Sequence, residues 1–284
     1  MIFAMTESFR QKMLGGGVVV GPFVKTTDPA FVEIAGHAGF DFVILDLEHG
    51  PASLTEMQNL LRAAECAGIL PIIRVADSRE ISIAKALDIG AKGVQVPNVE
   101  SAAQAEGVVR AAKYAPSGSR GVCRFVRAAE YSNLERTLYF SRANQNLVIV
   151  QVEGLKGIEN LDEILRVNGI DIVFIGPYDL SQALGVGGQI DHPAVQAEMR
   201  NVIKAAQEKS IVVGTFVDTI ENATKWRETG VQYLSYSVDV GIFYEACRSI
   251  VARTRGGPTS SRAPAAARHG CCGQREQCSR QETG

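Results

Sequence analysis

Along the chain, short apolar runs rich in Val and Ile alternate with longer stretches whose apolar positions recur every three or four residues. Residues 18–25 form the first run. A helical pattern over 29–38 follows, opened by the start signal Asp28-Pro29. The same pairing repeats as 40–47 with 54–66, 70–75 with 79–88, and 93–96 with 102–114. Ser53 and Glu56, three residues apart, form a capping box at the head of the second helix. A longer connection over 115–132 leads to an additional helix at 133–142. Then come 147–152 with 158–167, 170–175 with 192–209 across a Gly-rich loop, 211–217 with 220–228, and 231–236 with 240–251.

Strands alternating with helices predict a parallel sheet, and eight such units in a chain of this length predict a closed (β/α)8 TIM barrel. An open doubly wound sheet is the alternative. It would carry G-x-G-x-x-G between a strand and a helix; none is present, and Gly15–Gly17 precedes the first strand instead. The barrel is expected over residues 1–253. Over 254–284 the periodicity stops and Gly, Ser, Pro and Arg dominate, so a disordered tail is expected there. His269, Cys271, Cys272 and Cys278 lie in that tail at a spacing that fits no standard zinc finger.

Composition narrows the picture further. At 284 residues and 46% hydrophobic, the chain can fill a barrel-sized core. A formal net charge of −2 argues against a nucleic acid or an anionic membrane as partner. The longest apolar runs are strand-sized, and the N-terminal stretch has no apolar core behind a basic start, so a cytoplasmic protein is expected. The six cysteines are scattered or crowded into the tail, which suits reduced thiols.

In such a barrel the chemistry sits where the strands end. The second strand ends in Asp46, Glu48 and His49, and the third in Arg74. The fifth ends in Gln151 and Glu153, and after the sixth come Tyr178, Asp179 and Ser181. Glu153 and Asp179, on neighbouring strand tops, would repel unless a cation sat between them. Oxygen ligands of this kind suit Mg²⁺ or Mn²⁺ with positions left open for substrate and water. The plainer alternative is that Glu153 caps a helix and Asp179 begins a turn. Arg74 offers a planar fork for a substrate carboxylate, or an ion pair to Asp46 or Glu48. His49 is a candidate for proton transfer. A metal, an arginine and a base together describe a site for a 2-oxo acid, in which an enolate is stabilised while a carbon–carbon bond forms or breaks.

The stretches ILDLEHGPAS, IIRVAD, LDIGAKGVQVPNVESAAQAEGVVRAAKYAPSGSRGV, VQVEGLKGIENLDEIL and IDIVFIGPYDLSQALG resemble, in order over residues 15–252, the metal-dependent (class II) pyruvate aldolases of the HpcH/HpaI family. That group includes 4-hydroxy-2-oxoheptanedioate and 2-keto-3-deoxyglucarate-type aldolases, on a barrel of the phosphoenolpyruvate/pyruvate type. The resemblance implies retro-aldol cleavage of a 4-hydroxy-2-oxo acid to pyruvate and an aldehyde. It implies a divalent metal (Mg²⁺, Mn²⁺ or Co²⁺) on Glu153 and Asp179, and Arg74 binding pyruvate and steadying the enolate. His49 would pair with Asp88 to position or activate a water as the base. Gln151 would hydrogen-bond the pyruvate or a water, and Asp46 would support the solvent network. The backbone at Tyr178 and Asp179 would receive the substrate carboxylate. It also implies a hexamer, a trimer of dimers, with the last helix swapped between paired barrels.

Three rival readings remain at this level. A Schiff-base aldolase would use Lys25, the one lysine at a strand end. A CoA-thioester lyase of the citramalyl or malyl type shares the barrel. A non-catalytic barrel would not need the polar residues at the strand tops. The aldehyde is not specified, and a dicarboxylate substrate would ask for a second cation, with Arg124 and Arg127 of the long loop as sources, or as solvated loop charges.

Overall fold

The structure is a computed structural model that describes residues 2–256. It contains a closed parallel barrel with its eight strands in chain order. They are β1 (Val19–Val24), β2 (Phe42–Asp46), β3 (Leu70–Arg74), β4 (Gly93–Val96), β5 (Leu147–Val152), β6 (Ile172–Ile175), β7 (Val212–Val217) and β8 (Tyr233–Val238). Each lies inside or within two residues of its expected run. The chain divides into two units after residue 242, and the barrel strands all belong to the first. The predicted tail and its His and Cys residues lie, beyond Gly256, outside the described residues.

Among the described residues twelve α-helices accompany the strands: α1 (Ile2–Leu14), α2 (Pro29–His37), α3 (Leu54–Ala67), α4 (Glu80–Asp88), α5 (Ala102–Ala112), α6 (Arg136–Ala143), α7 (Leu155–Glu159), α8 (Leu161–Ile164), α9 (Pro177–Ala183), α10 (Pro193–Glu208), α11 (Ile220–Thr229) and α12 (Asp239–Thr254). The capping box of Ser53 and Glu56 is formed. Three features were not anticipated. Helix α1 packs Phe9 and Met13 into the cluster that holds Val19, Phe42, Leu70 and Tyr233, with Phe9 edge-on to Phe42 at 5.8 Å. The helix expected over 158–167 is broken at Asn160, whose side chain donates to the carbonyl of Glu100 at 2.8 Å. The Gly-rich loop after β6 begins with helix α9, whose first residue is Pro177. None of the described helices is long and apolar enough to cross a membrane. Among the described residues Cys66, Cys123 and Cys247 are free and exposed.

Alternation along the strands decides what faces the barrel axis. Phe42 and Ile44, Leu70 and Ile72, Leu147 and Ile149, and Ile172 and Phe174 form one interior cluster. The intervening Val43, Leu45, Ile73, Val148 and Val173 belong to a second cluster that also takes in helix residues such as Leu60, Ile83, Val108 and Met199. The barrel is therefore filled, and large side chains are admitted where a strand has none. A Cβ on Gly21 would lie 2.0 Å from the carbonyl oxygen of Phe42 and 2.7 Å from its ring. The ring of Phe42 stacks on Tyr233 with centroids 4.2 Å apart. Continuing the same inward alternation upward gives Asp46, Arg74, Gln151 and Glu153. On β2, β3 and β5 the inward face is apolar until the last turn and polar after that.

Gly21→Ala should therefore destabilise the fold by roughly 2–3 kcal/mol, the scale of overpacking in a filled core. Gly107→Ala, inside α5 with nothing within 4 Å of its added carbon, should stabilise by about 0.5–1 kcal/mol. Urea unfolding of the two variants checks the pair, and equal effects would show that the interior yields.

Candidate active site

Arg74 is the hub of the strand tops. It ends β3, is 8% exposed, and its guanidinium lies over the Phe23 ring at 4.5 Å. Strand β2 pairs with β3 so that Asp46 stands beside Arg74. Nε donates to Asp46 Oδ1 at 2.8 Å and Nη2 to Asp46 Oδ2 at 2.7 Å, the planar fork-on-carboxylate arrangement. Nη1 lies 2.9 Å from Glu48 Oε2. The ion pair foreseen as the plainer alternative for Arg74 is thus formed. A guanidinium has five N–H groups, so these three contacts leave two more to direct elsewhere. Arg74 also lines a pocket with Lys25, Gln151, Gly176, Tyr178 and Asp179. Lys25 Nζ is 3.8 Å from Asp46 Oδ2.

Asp46 is fully buried. Burial alone would raise its pKa, but the Arg74 fork and the backbone amides of Glu48 and His49 outweigh it and hold the carboxyl below its ordinary value. Glu48 moves the other way. Burial raises it, Arg74 opposes, and the negative charges of Asp46 and Asp179 add to the rise.

Glu153 stands just beyond β5 and is 2% exposed. Its Oε2 accepts from Gln151 Nε2 at 2.6 Å, and its Oε1 accepts from the backbone amide of Asn98 at 3.1 Å. Gly176 makes room for it, since a Cβ there would sit 2.3 Å from Oε2. Burial pushes the Glu153 carboxyl up to about 7, with the charges of Asp179 and Glu48 adding to it against the Gln151 and Asn98 hydrogen bonds. Asp179 sits in the first turn of α9 and lines the same pocket. Among the described residues no group of three or more His, Cys, Asp or Glu is placed to hold a metal. Glu153 and Asp179 form a pair, not a cage.

His49 follows in the turn after β2, with its side chain 60% exposed and Nε2 3.8 Å from Glu48 Oε2. Asp88 is not its partner within the chain. Asp88 ends α4, and the chain re-enters the barrel at Gly93 only five residues later, so it lies at the end of the barrel where strands begin. There its carboxylate takes Arg120 Nη2 at 2.5 Å. A helix-end aspartate has only its sequence position to offer a reader, and that position belongs to the wrong end of the barrel. The loop arginines are also engaged elsewhere. Arg124 donates to the carbonyls of Ser132 and Leu134, and Arg127 pairs with Glu65.

Tyr178 lines the pocket, stands edge-on to Phe216 at 5.9 Å, and donates from its hydroxyl to Asp218 Oδ2 at 2.8 Å. Phe23, Phe216 and Val238 complete an apolar wall. Sequence reasoning passed over these three because aromatic and aliphatic residues in strands read as core. Inward parity at the last turns of β1 and β7 was the available signal for Phe23 and Phe216; Val238 comes inward only through the register shift that pairs it with Phe23.

The sequence matches the HpcH/HpaI aldolase/citrate lyase family over residues 20–246. The chain belongs to that family. The hydroxypyruvate/pyruvate aldolase of Pseudomonas aeruginosa is 37% identical over 251 residues, covering 88% of this chain and 93% of its own. The 2-keto-3-deoxy-L-rhamnonate aldolase of Escherichia coli is 33% identical over 260 residues, covering 91% and 97%. Among solved structures, an HpcH/HpaI aldolase from Desulfitobacterium hafniense is 32% identical and covers 87% of this chain and 96% of its own, with a TM-score of 0.81. This HpcH/HpaI member is an enzyme, an aldehyde-lyase acting at a carbon–carbon bond.

Because Asp46 is held below its ordinary value, near 3.9 for a free aspartate, its pair with Arg74 stabilises the fold above that pH and ceases to do so as pH falls below it. Asp46→Asn should remove that contribution at neutral pH and leave Arg74 under-compensated. A loss of about 3 kcal/mol in urea unfolding is expected, with a smaller one for Glu48→Gln, after which Asp46 still holds the guanidinium. Equal losses would show that the two carboxylates share the charge evenly.

Proposed function

We propose that the protein is a metal-dependent pyruvate aldolase, cleaving a 4-hydroxy-2-oxo acid to pyruvate and an aldehyde. The observation that carries this reading is the charge at the strand tops. Asp46, Glu48, Glu153 and Asp179 act on one another, against the two cations Arg74 and Lys25. With all four carboxyls ionised, four negative charges against two cations leave an excess of two, which a divalent cation neutralises. Glu153 and Asp179 would hold it, since the other two carboxylates are already engaged by Arg74 and Lys25. Two protein oxygens and no sulfur suit Mg²⁺, Mn²⁺ or Co²⁺ with open positions. When bound, such an ion supplies Lewis-acid stabilisation of the developing enolate charge.

The chain's own residues do the rest. The two N–H groups that Arg74 does not spend on Asp46 and Glu48 orient the keto acid's carboxylate. Because Arg74 is held by two carboxylates, it needs no reorganisation as charge develops. Gln151 Nε2 carries a second N–H beside the one given to Glu153, and it donates to the keto acid. His49 takes the proton of the C4 hydroxyl, directly or through a water, as the C3–C4 bond breaks and the aldehyde leaves. The proton returns at C3 to give the pyruvate methyl group. Glu48, not Asp88, is the carboxylate beside the imidazole in one chain. Small keto-acid substrates and unpaired thiols fit a cytoplasmic setting. A hexamer remains part of this proposal, supported by exposed Phe243, Tyr244, Ile250 and Val251 on α12.

Chelation should abolish retro-aldol release of pyruvate, read by coupled lactate dehydrogenase, and Mn²⁺, Mg²⁺ or Co²⁺ should restore it. Glu153→Ala and Asp179→Ala should lose both metal binding and turnover. Full activity after exhaustive chelation, with a borohydride-trapped pyruvate adduct on Lys25, would replace this reading with the Schiff-base route.

His49→Ala should slow cleavage by about 10²–10⁴-fold, the usual worth of a positioned base, while Mn²⁺ affinity changes little. The same variant should exchange pyruvate methyl protons with D₂O correspondingly slowly. Exchange at the wild-type rate would move the proton-transfer role to another group.

A further inference from the structure

Strands β4 and β5 are neighbours, with Gln95 paired to Ile149 and Val96 to Val150. Gln95 and Gln151 both face inward and are buried, at 0% and 2% exposure. Gln95 Nε2 donates to Gln151 Oε1 at 2.7 Å, and Gln151 Nε2 donates to Glu153 Oε2 at 2.6 Å. A side-chain amide has one accepting end and one donating end, and an ionised carboxylate only accepts. Glu153 therefore takes the nitrogen end of Gln151, which turns the oxygen end toward β4. Gln95 meets that oxygen with its own nitrogen. The order runs one way, and flipping either amide would set two like ends against each other. The same strand also leads to the other carboxylate oxygen. Two residues beyond β4, the amide of Asn98, held at φ 54°, donates to Glu153 Oε1 at 3.1 Å.

We propose that Gln95 is a positioning residue: it fixes the amide of Gln151, and through it the orientation in which Glu153 meets the divalent cation and Gln151 meets the keto acid. What Glu153 and Gln151 hold rests on the aldolase reading above; the amide order does not. Packing gives no reason for an amide at this position. The inward residues Ile44 on β2 and Phe174 on β6 are apolar, Ser235 on β8 is small, and Gln95 Oε1 meets no donor among the described residues. An apolar side chain would avoid burying that oxygen. The bond to Gln151 is what the amide provides.

Gln95→Met keeps the volume and removes the donor. Gln95→Glu presents carboxyl oxygens to Gln151 in place of the donor. Both are measured on the full chain by Mn²⁺ titration calorimetry, by the KM for pyruvate in the aldol direction, and by NMR exchange of the Gln151 side-chain NH₂. Gln95→Met should weaken Mn²⁺ binding and raise the KM by about three- to tenfold each, the worth of one hydrogen bond between neutral groups. Its melting temperature should stay near wild type. Gln95→Glu should weaken both further. Exchange at Gln151 should quicken by about tenfold or more once its partner is gone. In a Gln151→Met background, Gln95→Met should add nothing. Wild-type values of Mn²⁺ affinity, KM and Gln151 exchange in both variants would overturn the proposal, as would a full second loss in the Gln151→Met background. A wild-type chain that neither binds Mn²⁺ nor releases pyruvate would sink the aldolase reading instead, and Gln151 exchange would still decide the role of Gln95.

Discussion

The guanidinium of Arg74, clamped by Asp46 and Glu48, is the interaction on which the top of this barrel depends. Charges are expensive to bury, and a buried pair is tolerable only with close geometry and satisfied hydrogen bonds. Here both oxygens of Asp46 are engaged at 2.7–2.8 Å, and Phe23 covers the cation from one side. The pair joins two adjacent strands at their ends, where the ladder between them stops. It also fixes the direction of the turn after β2, because Asp46 Oδ1 accepts from the amides of Glu48 and His49. Position and chemistry are therefore set together. The carboxylate that holds the arginine also places the imidazole.

A barrel admits such a charged top because its lower layers are dry and full. On β2, β3 and β5 the inward column begins with apolar side chains and changes character only at its last one or two positions. Phe42 and Ile44 precede Asp46, Leu70 and Ile72 precede Arg74, and Leu147 and Ile149 precede Gln151 and Glu153. Helix α1 adds Phe9 and Met13 to the cluster at the opposite end. Below the site, apolar packing leaves the polar groups little to meet except one another, which strengthens their mutual hydrogen bonds and raises the cost of any group left out.

This gradient is why so much was legible in the sequence. Alternation predicts the strands, and an apolar run ending in carboxylates, as in FVILDLEH, marks a strand top without further information. Three kinds of feature were harder to see. Met5, Phe9 and Met13 recur every fourth residue, but a stretch that short was read only for targeting signals. Asp88 was given to His49 by resemblance alone, and the return of α4 to the start of the barrel places it with Arg120 instead. Gln95, in GVQVPN, looks like a minor interruption of a strand. Its meaning depends on Gln151, 56 residues away, and no local pattern carries a pairing across strands.

The pocket divides its labour by chemistry. The side facing β3, β5 and α9 is built of charge and amides, which suits an oxo acid whose carboxylate and developing enolate are both anionic. The facing side is Phe23, Phe216 and Val238, with Tyr178 tethered to Asp218 at the rim. Charges act over distance and cannot be changed singly without leaving partners uncompensated, so the oxo-acid half is constrained by the whole network. An apolar wall imposes only shape, and one methylene is worth only about 1–3 kcal/mol of discrimination. On the proposed reading, substitutions on Phe216 or Val238 would change which aldehyde is accepted while the charged network stays in place. A family built on this plan can hold its reaction constant while its second substrate varies.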